Sequence, residues 1–308
     1  TWFNLTTIDG GGAQCLIDQY RVVHCMGRNN YGQTGLGAKL RYRATQVQNL
    51  EPAQSVASGR RHSCALLADD RVACWGGLLN YTRLYRGISE HVNEGAAPTA
   101  VNGGEALSLL RAGDEHSCAL RQDNSIRCWG NQVYPSATQF FASNNSMGDG
   151  ARPSALSVGD RLACAVVAGQ VWCWGLNHQG QTGQGDVQGS PTPARVVGLE
   201  GVVSVSAGGA RARQAAHACA RTNNGEVWCW GGNAYGQTGH DQSTAQYFPL
   251  RVNLGFAAVE LSAGGTHTCV RSATGSVHCW GGSANTTGLP EQLDDNNEVI
   301  RPRNSPFE

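Results

Sequence analysis

Twelve cysteines and a set of spaced histidines are the residues in this sequence whose chemistry reads most directly. The cysteines form the pairs Cys15/Cys25, Cys64/Cys74, Cys118/Cys128, Cys164/Cys173, Cys219/Cys229 and Cys269/Cys279, with none left over. His62, His116, His217 and His267 each stand two positions before the first cysteine of a pair. Such a set suits either disulfides or a metal held by thiolate and imidazole. Opposed cysteines ten apart differ from the C-x-x-C of zinc sites, and six identical ligand-poor sites would be unusual. The pairing therefore reads as a structural disulfide framework, with no metal and no cofactor, in a secreted or extracellular setting. Each bridge closes a short loop, worth about 2–3 kcal/mol in the chain-entropy description, and lends kinetic stability outside the cell. The histidines recur at one position, which reads as a repeated hydrogen bond between neighbouring strands rather than as catalysis. Ala13 and Leu162 replace them in the first and fourth copies.

The elements that must carry these residues repeat with the cysteines. First cysteines lie 49, 54, 46, 55 and 50 residues apart, the period of a four-stranded propeller blade. Within a copy, runs such as 202–209 (VVSVSAGG) read as strand A, 62–67 (HSCALL) as strand B and 71–76 (RVACWG) as strand C. Cysteines ten apart sit opposite each other if the B–C loop has an odd number of residues. In the fourth copy they are nine apart, which needs an even loop, and Ala168-Gly169 supplies one. Opposed Cys64 and Cys74 then put Leu66 across from Val72 on one face, and Ala65, Ala73 and Trp75 on the other. Both faces are apolar, as in a sheet sandwiched between neighbours. Trp75, Trp129, Trp174, Trp230 and Trp280 recur as core, Met26 stands in for them in the first copy, and Trp172 and Trp228 are additional packing residues. A Gly-rich loop such as 233–239 (NAYGQTG) reads as repeat punctuation, and a segment opening on a proline, as at Pro98, Pro193 and Pro249, reads as an edge strand D.

This grammar predicts an all-β chain: a six-bladed β-propeller of four-stranded antiparallel blades with one B–C disulfide per blade, occupying residues 1–308 as a single domain. The repeats fall at about 1–48, 49–102, 103–156, 157–201, 202–255 and 256–308. The opening Leu5-Thr6-Thr7-Ile8 aligns with strand A, and the closing 299–308 could complete the first blade and seal the ring.

The strings SAGGTHTCVRSATGSVHCWGG (262–282) and CWGGNAYGQTG (229–239) resemble the repeat of the regulator of chromosome condensation family along nearly the whole chain. The resemblance implies a β-propeller, although the founding members have seven repeats and this chain has six. It does not fix function, because the family hosts nucleotide exchange on a small GTPase, ultraviolet-B photoreception and secreted inhibition of β-lactamases. Photoreception depends on Trp just after the strand-A glycine; Arg60, Asp114, Asp160 and Gly265 stand there instead.

What does not repeat points to recognition. Antiparallel connectivity gathers A–B and C–D loops at one end. There the A–B corners bring Arg60 and Arg61, Asp114 and Glu115, and Asp160 and Arg161, and the fifth copy inserts residues including Arg211 and Arg213. Irregular C–D loops add Tyr81, Tyr85, Tyr134, Phe140 and Phe141. Tyr and Arg at loop tips on a rigid frame are the composition of a partner-binding surface, and a solvated face without a partner is the alternative. Asn4, Asn80, Asn144 and Asn285 begin glycosylation sequons.

Formal net charge is zero, so nucleic acid is not an expected partner. No apolar run is long enough for a bilayer, and membrane insertion is not expected. Residues 1–4 lack the charged start of a signal peptide, as expected of a mature chain or an excised domain. No nucleophile elbow, phosphate loop or HExxH string occurs. The reading is an extracellular, non-enzymatic module that binds another protein or copies of itself. The alternatives are a secreted inhibitor of an enzyme and a carbohydrate-acting enzyme or lectin.

Overall fold

The computed structural model describes residues 7–10, 13–36, 41–77, 99–100, 106–114, 116–130, 151–209, 215–240 and 244–282. Their regular structure is entirely β-strand, in six antiparallel sheets. The chain divides into two compact units, Thr1–Asn144 and Asn145–Glu308.

In the first unit, β1 (Thr7–Gly10), β2 (Ala13–Ile17), β3 (Val23–Gly27) and β4 (Arg41–Gln46) pair in chain order. The next sheet is β5 (Ala53–Ser58), β6 (His62–Leu67), β7 (Val72–Gly76) and β8 (Thr99–Ala100). The third has β9 (Leu107–Ala112), β10 (His116–Arg121) and β11 (Ile126–Gly130). In the second unit, β12 (Ala155–Val158), β13 (Leu162–Val167), β14 (Gln170–Gly175) and β15 (Ser190–Arg195) form the first sheet. The second has β16 (Val202–Gly208), β17 (His217–Thr222), β18 (Val227–Gly231) and β19 (Gln246–Val252). The last has β20 (Ala258–Ala263), β21 (His267–Ser272) and β22 (Val277–Gly281). An outer strand for the third and sixth sheets would fall in 131–150 and 283–308, outside the described residues, as do 1–6 of the expected ring closure.

Register follows the cysteines. Cys64 faces Cys74, Leu66 faces Val72, and Ser63 faces Trp75, and the equivalent pairing holds in all six B–C hairpins. The fourth hairpin turns on Ala168 and Gly169 alone, with φ of 50° and 76°, the left-handed pair that matches strand twist. The other five use three-residue loops whose last position is left-handed: Arg21, Asp70, Asn124, Gly225 and Gly275. In the second sheet, Asp70 N–H closes the turn on Leu67 O at 3.1 Å and Leu67 N–H bonds Arg71 O at 2.7 Å, the turn-plus-bulge geometry of odd loops.

All twelve cysteines are bridged within their own hairpin, with Cα–Cα separations of 4.0–4.2 Å. Bridged sulfurs leave no thiolate for a metal. The bridge sits on the face turned to the next sheet in its unit. Cys15, Cys25, Ile17 and Val23 pack with Ala53, Val56, Ala65 and Trp75, and Cys64, Cys74, Leu66 and Val72 with Leu107, Leu110, Ala119 and Trp129. In the second unit the Cys164–Cys173 face meets Val202, Val205, Ala218 and Trp230, and the Cys219–Cys229 face meets Ala258, Val270 and Trp280. Small alanines on strand B and the single large Trp on strand C are what let the sheets nest closely.

Three details differ from the sequence reading. Strand D does not open on its proline: β15 and β19 begin at Ser190 and Gln246, and Pro193 and Pro249 lie inside them, beside a register shift where a missing N–H is tolerated. The first strand is Thr7–Gly10, two residues later than expected. The cysteine-bearing face of the sixth sheet is not an apolar, buried one. It carries Glu260, Ser262 and Arg271, and its Val277 is 44% exposed.

Candidate functional site

The histidines were examined first for catalysis, since His62 Nε2 lies 2.7 Å from Ser117 Oγ, the spacing of a base and its nucleophile. Both residues are fully buried, and no carboxylate orients His62 Nδ1, which has no partner. Burial pushes His62 down to about 3, and His116 and His217 to about 4, so all three are neutral at pH 7. Their job is cross-sheet bonding, as the repeat suggests. His62 on β6 bonds β10, and His217 on β17 bonds Thr268 on β21 at 2.9 Å. His217 Nδ1 lies 2.9 Å from the Ala215 carbonyl, which can only accept, so in the neutral ring Nε2 takes the Thr268 hydroxyl proton.

The Gly-rich loops do more than punctuate the repeats. Asn29 Oδ1 accepts Thr34 N–H at 2.8 Å and Gln33 Oε1 accepts Tyr31 N–H at 2.9 Å, which fixes the loop on itself. The Gln33 carbonyl is thereby aimed at the next sheet, where it accepts Ser63 Oγ at 2.9 Å and Trp75 Nε1 at 3.0 Å. The second unit repeats the device: Trp230 Nε1 donates to Gln181 O at 2.9 Å, and Trp280 Nε1 to Gln237 O at 3.0 Å. This latch was missed in the sequence because the glycines draw the eye; the signal was the constant Asn and Gln-Thr around them.

The A–B corners lie at the same end as these loops, as connectivity requires. In the first unit the Arg61 guanidinium stacks 4.6 Å above the Tyr31 ring, and Gln33 Nε2 reaches Arg60 O at 3.3 Å. Arg60 N–H bonds Asp114 O at 3.2 Å, and its guanidinium lies 3.6 Å from the Asp114 carboxylate. The corners approach so closely that a Cβ on Gly59 would strike the Gly113 carbonyl and the His62 ring. Arg60, Arg61 and Asp114 are therefore brought together, with Tyr31 added. In the second unit Arg161 lies 3.9 Å from Asp160, whose Cβ touches the glycine corner at Gly209, and Tyr235 stands 46% exposed on its loop. Arg60 remains 42% exposed and Arg161 30%, so these side chains offer charge to solvent. Tyr81, Tyr85, Tyr134, Phe140, Phe141, Arg211 and Arg213, and the sequon residues Asn4, Asn80, Asn144 and Asn285, lie outside the described residues. Among the described residues no group of three His, Cys, Asp or Glu could hold a metal.

Two sequence models of the regulator of chromosome condensation (RCC1) repeat match, one at 53–80, 110–134, 215–237 and 258–287, the other at 22–66 and 168–210. Between them they cover more than half of the sequence. The chain belongs to the RCC1 repeat family. It is 29% identical over 206 residues to the ultraviolet-B receptor UVR8 of Arabidopsis thaliana, a match that covers 64% of this chain and 45% of the receptor. Yeast RCC1 (Prp20), solved bound to Kap60, is similar in structure with a TM-score of 0.73 at 19% identity, over 96% of this chain and 74% of that one. Human WBSCR16 gives 0.70 at 21% identity, over 87% and 72%. The six sheets are thus blades of an RCC1-type β-propeller fold, and the chain spans less than half the length of the curated receptor it matches.

Proposed function

We propose that residues 1–308 are a single propeller domain that acts as an extracellular, non-enzymatic protein-binding module, its partner being another protein or further copies of itself. The binding end is the one that carries the A–B corners and C–D loops. The observation that carries this reading is the group at that end of the first unit: Arg61 stacked on Tyr31, beside Arg60 paired with Asp114. A stacked Arg–Tyr couple and a solvent-facing ion pair, held by short corners on stapled hairpins, present planar and charged contacts with little rotamer freedom left to lose. The loops bearing Tyr81, Tyr85, Tyr134, Phe140, Phe141, Arg211 and Arg213 extend the same surface. A yeast member of the family was solved with a protein partner, which supports a binding role for the fold. Six intrachain bridges support an oxidising, extracellular setting, and Asn4, Asn80, Asn144 and Asn285 are the carbohydrate acceptors there.

The test combines sedimentation velocity, for self-association, with capture from native extracellular extract followed by affinity measurement on the protein identified. Arg60→Glu with Arg61→Glu, and separately Arg211→Glu with Arg213→Glu, should weaken the association at least about tenfold. Tyr20→Ser on the opposite, B–C end should leave it unchanged. Equal affinity for both charge-reversed variants would remove this end as the site.

A further inference from the structure

Five of the six bridges are sealed in the sheet-to-sheet cores; the sixth is not. Cys15, Cys25, Cys64, Cys74, Cys118, Cys164, Cys173, Cys219 and Cys229 have no exposed surface, and Cys128 has 5%. Cys269 and Cys279 are half-buried. The residue two positions before the second cysteine shows the same break. Val23, Val72, Ile126, Val171 and Val227 are at most 2% exposed, whereas Val277 is 44% exposed.

The chemistry of the surrounding face agrees. Beside the bridge, where the first four sheets place Ile17, Leu66, Leu120 and Val166, the sixth places Arg271. Arg271 forms a two-pronged ion pair with Glu260 on the adjacent strand, Nε to Oε2 at 2.9 Å and a terminal guanidinium nitrogen to Oε1 at 2.6 Å. Ser262, opposite Cys269, is exposed. An ion pair that wants water and a serine hydroxyl keep this face hydrated, so a solvent-borne thiolate can approach the sulfurs.

We propose that Cys269–Cys279 is a redox-responsive bridge, the one of the six that an external dithiol opens while the protein stays folded. The thiolate of the dithiol attacks one bridge sulfur and the other leaves as a thiolate, which takes a proton. The second sulfur of the dithiol then displaces the first cysteine from the mixed disulfide. Two electrons pass: the bridge becomes two thiols and the dithiol becomes a disulfide. The products are a released β21–β22 hairpin and five intact staples.

The experiment uses the whole native chain, titrated with dithiothreitol at pH 7, trapped by alkylation and mapped by peptide mass spectrometry. Cys269 and Cys279 should take the first two labels, at a rate at least about tenfold above any other pair. Hydrogen exchange on the singly reduced chain should then show faster exchange across 267–281 and unchanged protection in the other hairpins. Labelling that begins at another pair, or that spreads over all six together, overturns the proposal. Unchanged exchange at 267–281 after reduction overturns its consequence for the hairpin.

Discussion

His217 is held neutral by the removal of water from its ring, with the nearby His267 adding a smaller repulsion. His62 and His116 share the first cause. In the unfolded chain each would titrate near 6.5, so between that pH and about 4 the unfolded state binds protons that the folded state refuses. Stability is full above pH 6.5 and falls as acid is added. His116 and His217 each account for a loss on the order of 3 kcal/mol once pH reaches their folded values. Denaturant midpoints should therefore drop steadily from pH 6.5 to 4.5, a window in which Asp69 and Glu260, whose Arg partners hold them below the usual carboxylate range, are still ionised. A flat profile there would show these rings to be hydrated. Thr268→Val tests the same contact at constant shape, because it leaves His217 Nε2 buried without a donor. A loss of about 1–3 kcal/mol by chemical denaturation is expected. The histidine's role was legible from its repetition alone, but Thr268 as its partner was not. The two stand 51 positions apart, in different copies, and only the packing of one sheet on the next brings them to 2.9 Å.

The hairpin is the element that sequence spacing specified most completely. Loop parity, cysteine opposition and the identity of each face were all readable from side-chain alternation, because a register slip of one residue would have turned every bridge and Trp outward. The left-handed turn positions give a direct test. Gly225 has a φ of 84° and a Cβ there would press on Ala257, so Gly225→Ala should cost about 1–2 kcal/mol. Ala168 holds a φ of 50° in the two-residue turn, and Ala168→Asn should raise the unfolding midpoint, by about 0.5–1 kcal/mol. The bridges belong to the same scale. Cys64→Ala with Cys74→Ala should lose about 2–3 kcal/mol from the loop constraint, plus the packing of two buried sulfurs against Leu107 and Trp129, measured as thermal unfolding of the variant. Strand D was less legible: its prolines marked the region but not its start, because tolerance of Pro depends on which strand edge faces the neighbour, and that is fixed by the bulge at Cys229/Gly231.

At the scale of the whole molecule, charge is balanced and the cysteines are all used within the hairpins. With no basic surplus, non-specific affinity for duplex DNA at physiological salt should be weaker than roughly 10⁻⁴ M, and fluorescence anisotropy with a labelled duplex checks it. The sequence by itself determined the class of fold, the number of repeats, the partner of every cysteine and the family. These depend on local alternation and short loops, so they are written in runs of a dozen residues. Tertiary structure alone decided the rest: which carbonyl the Gly-rich loop offers to the Trp of the following sheet, which corners meet at Arg60, Asp114 and Tyr31, and which of six equivalent bridges faces water. Those contacts join residues some 30 to 55 positions apart across sheet faces. Their energy comes from desolvation and close approach, which a linear pattern does not encode until the sheets are stacked.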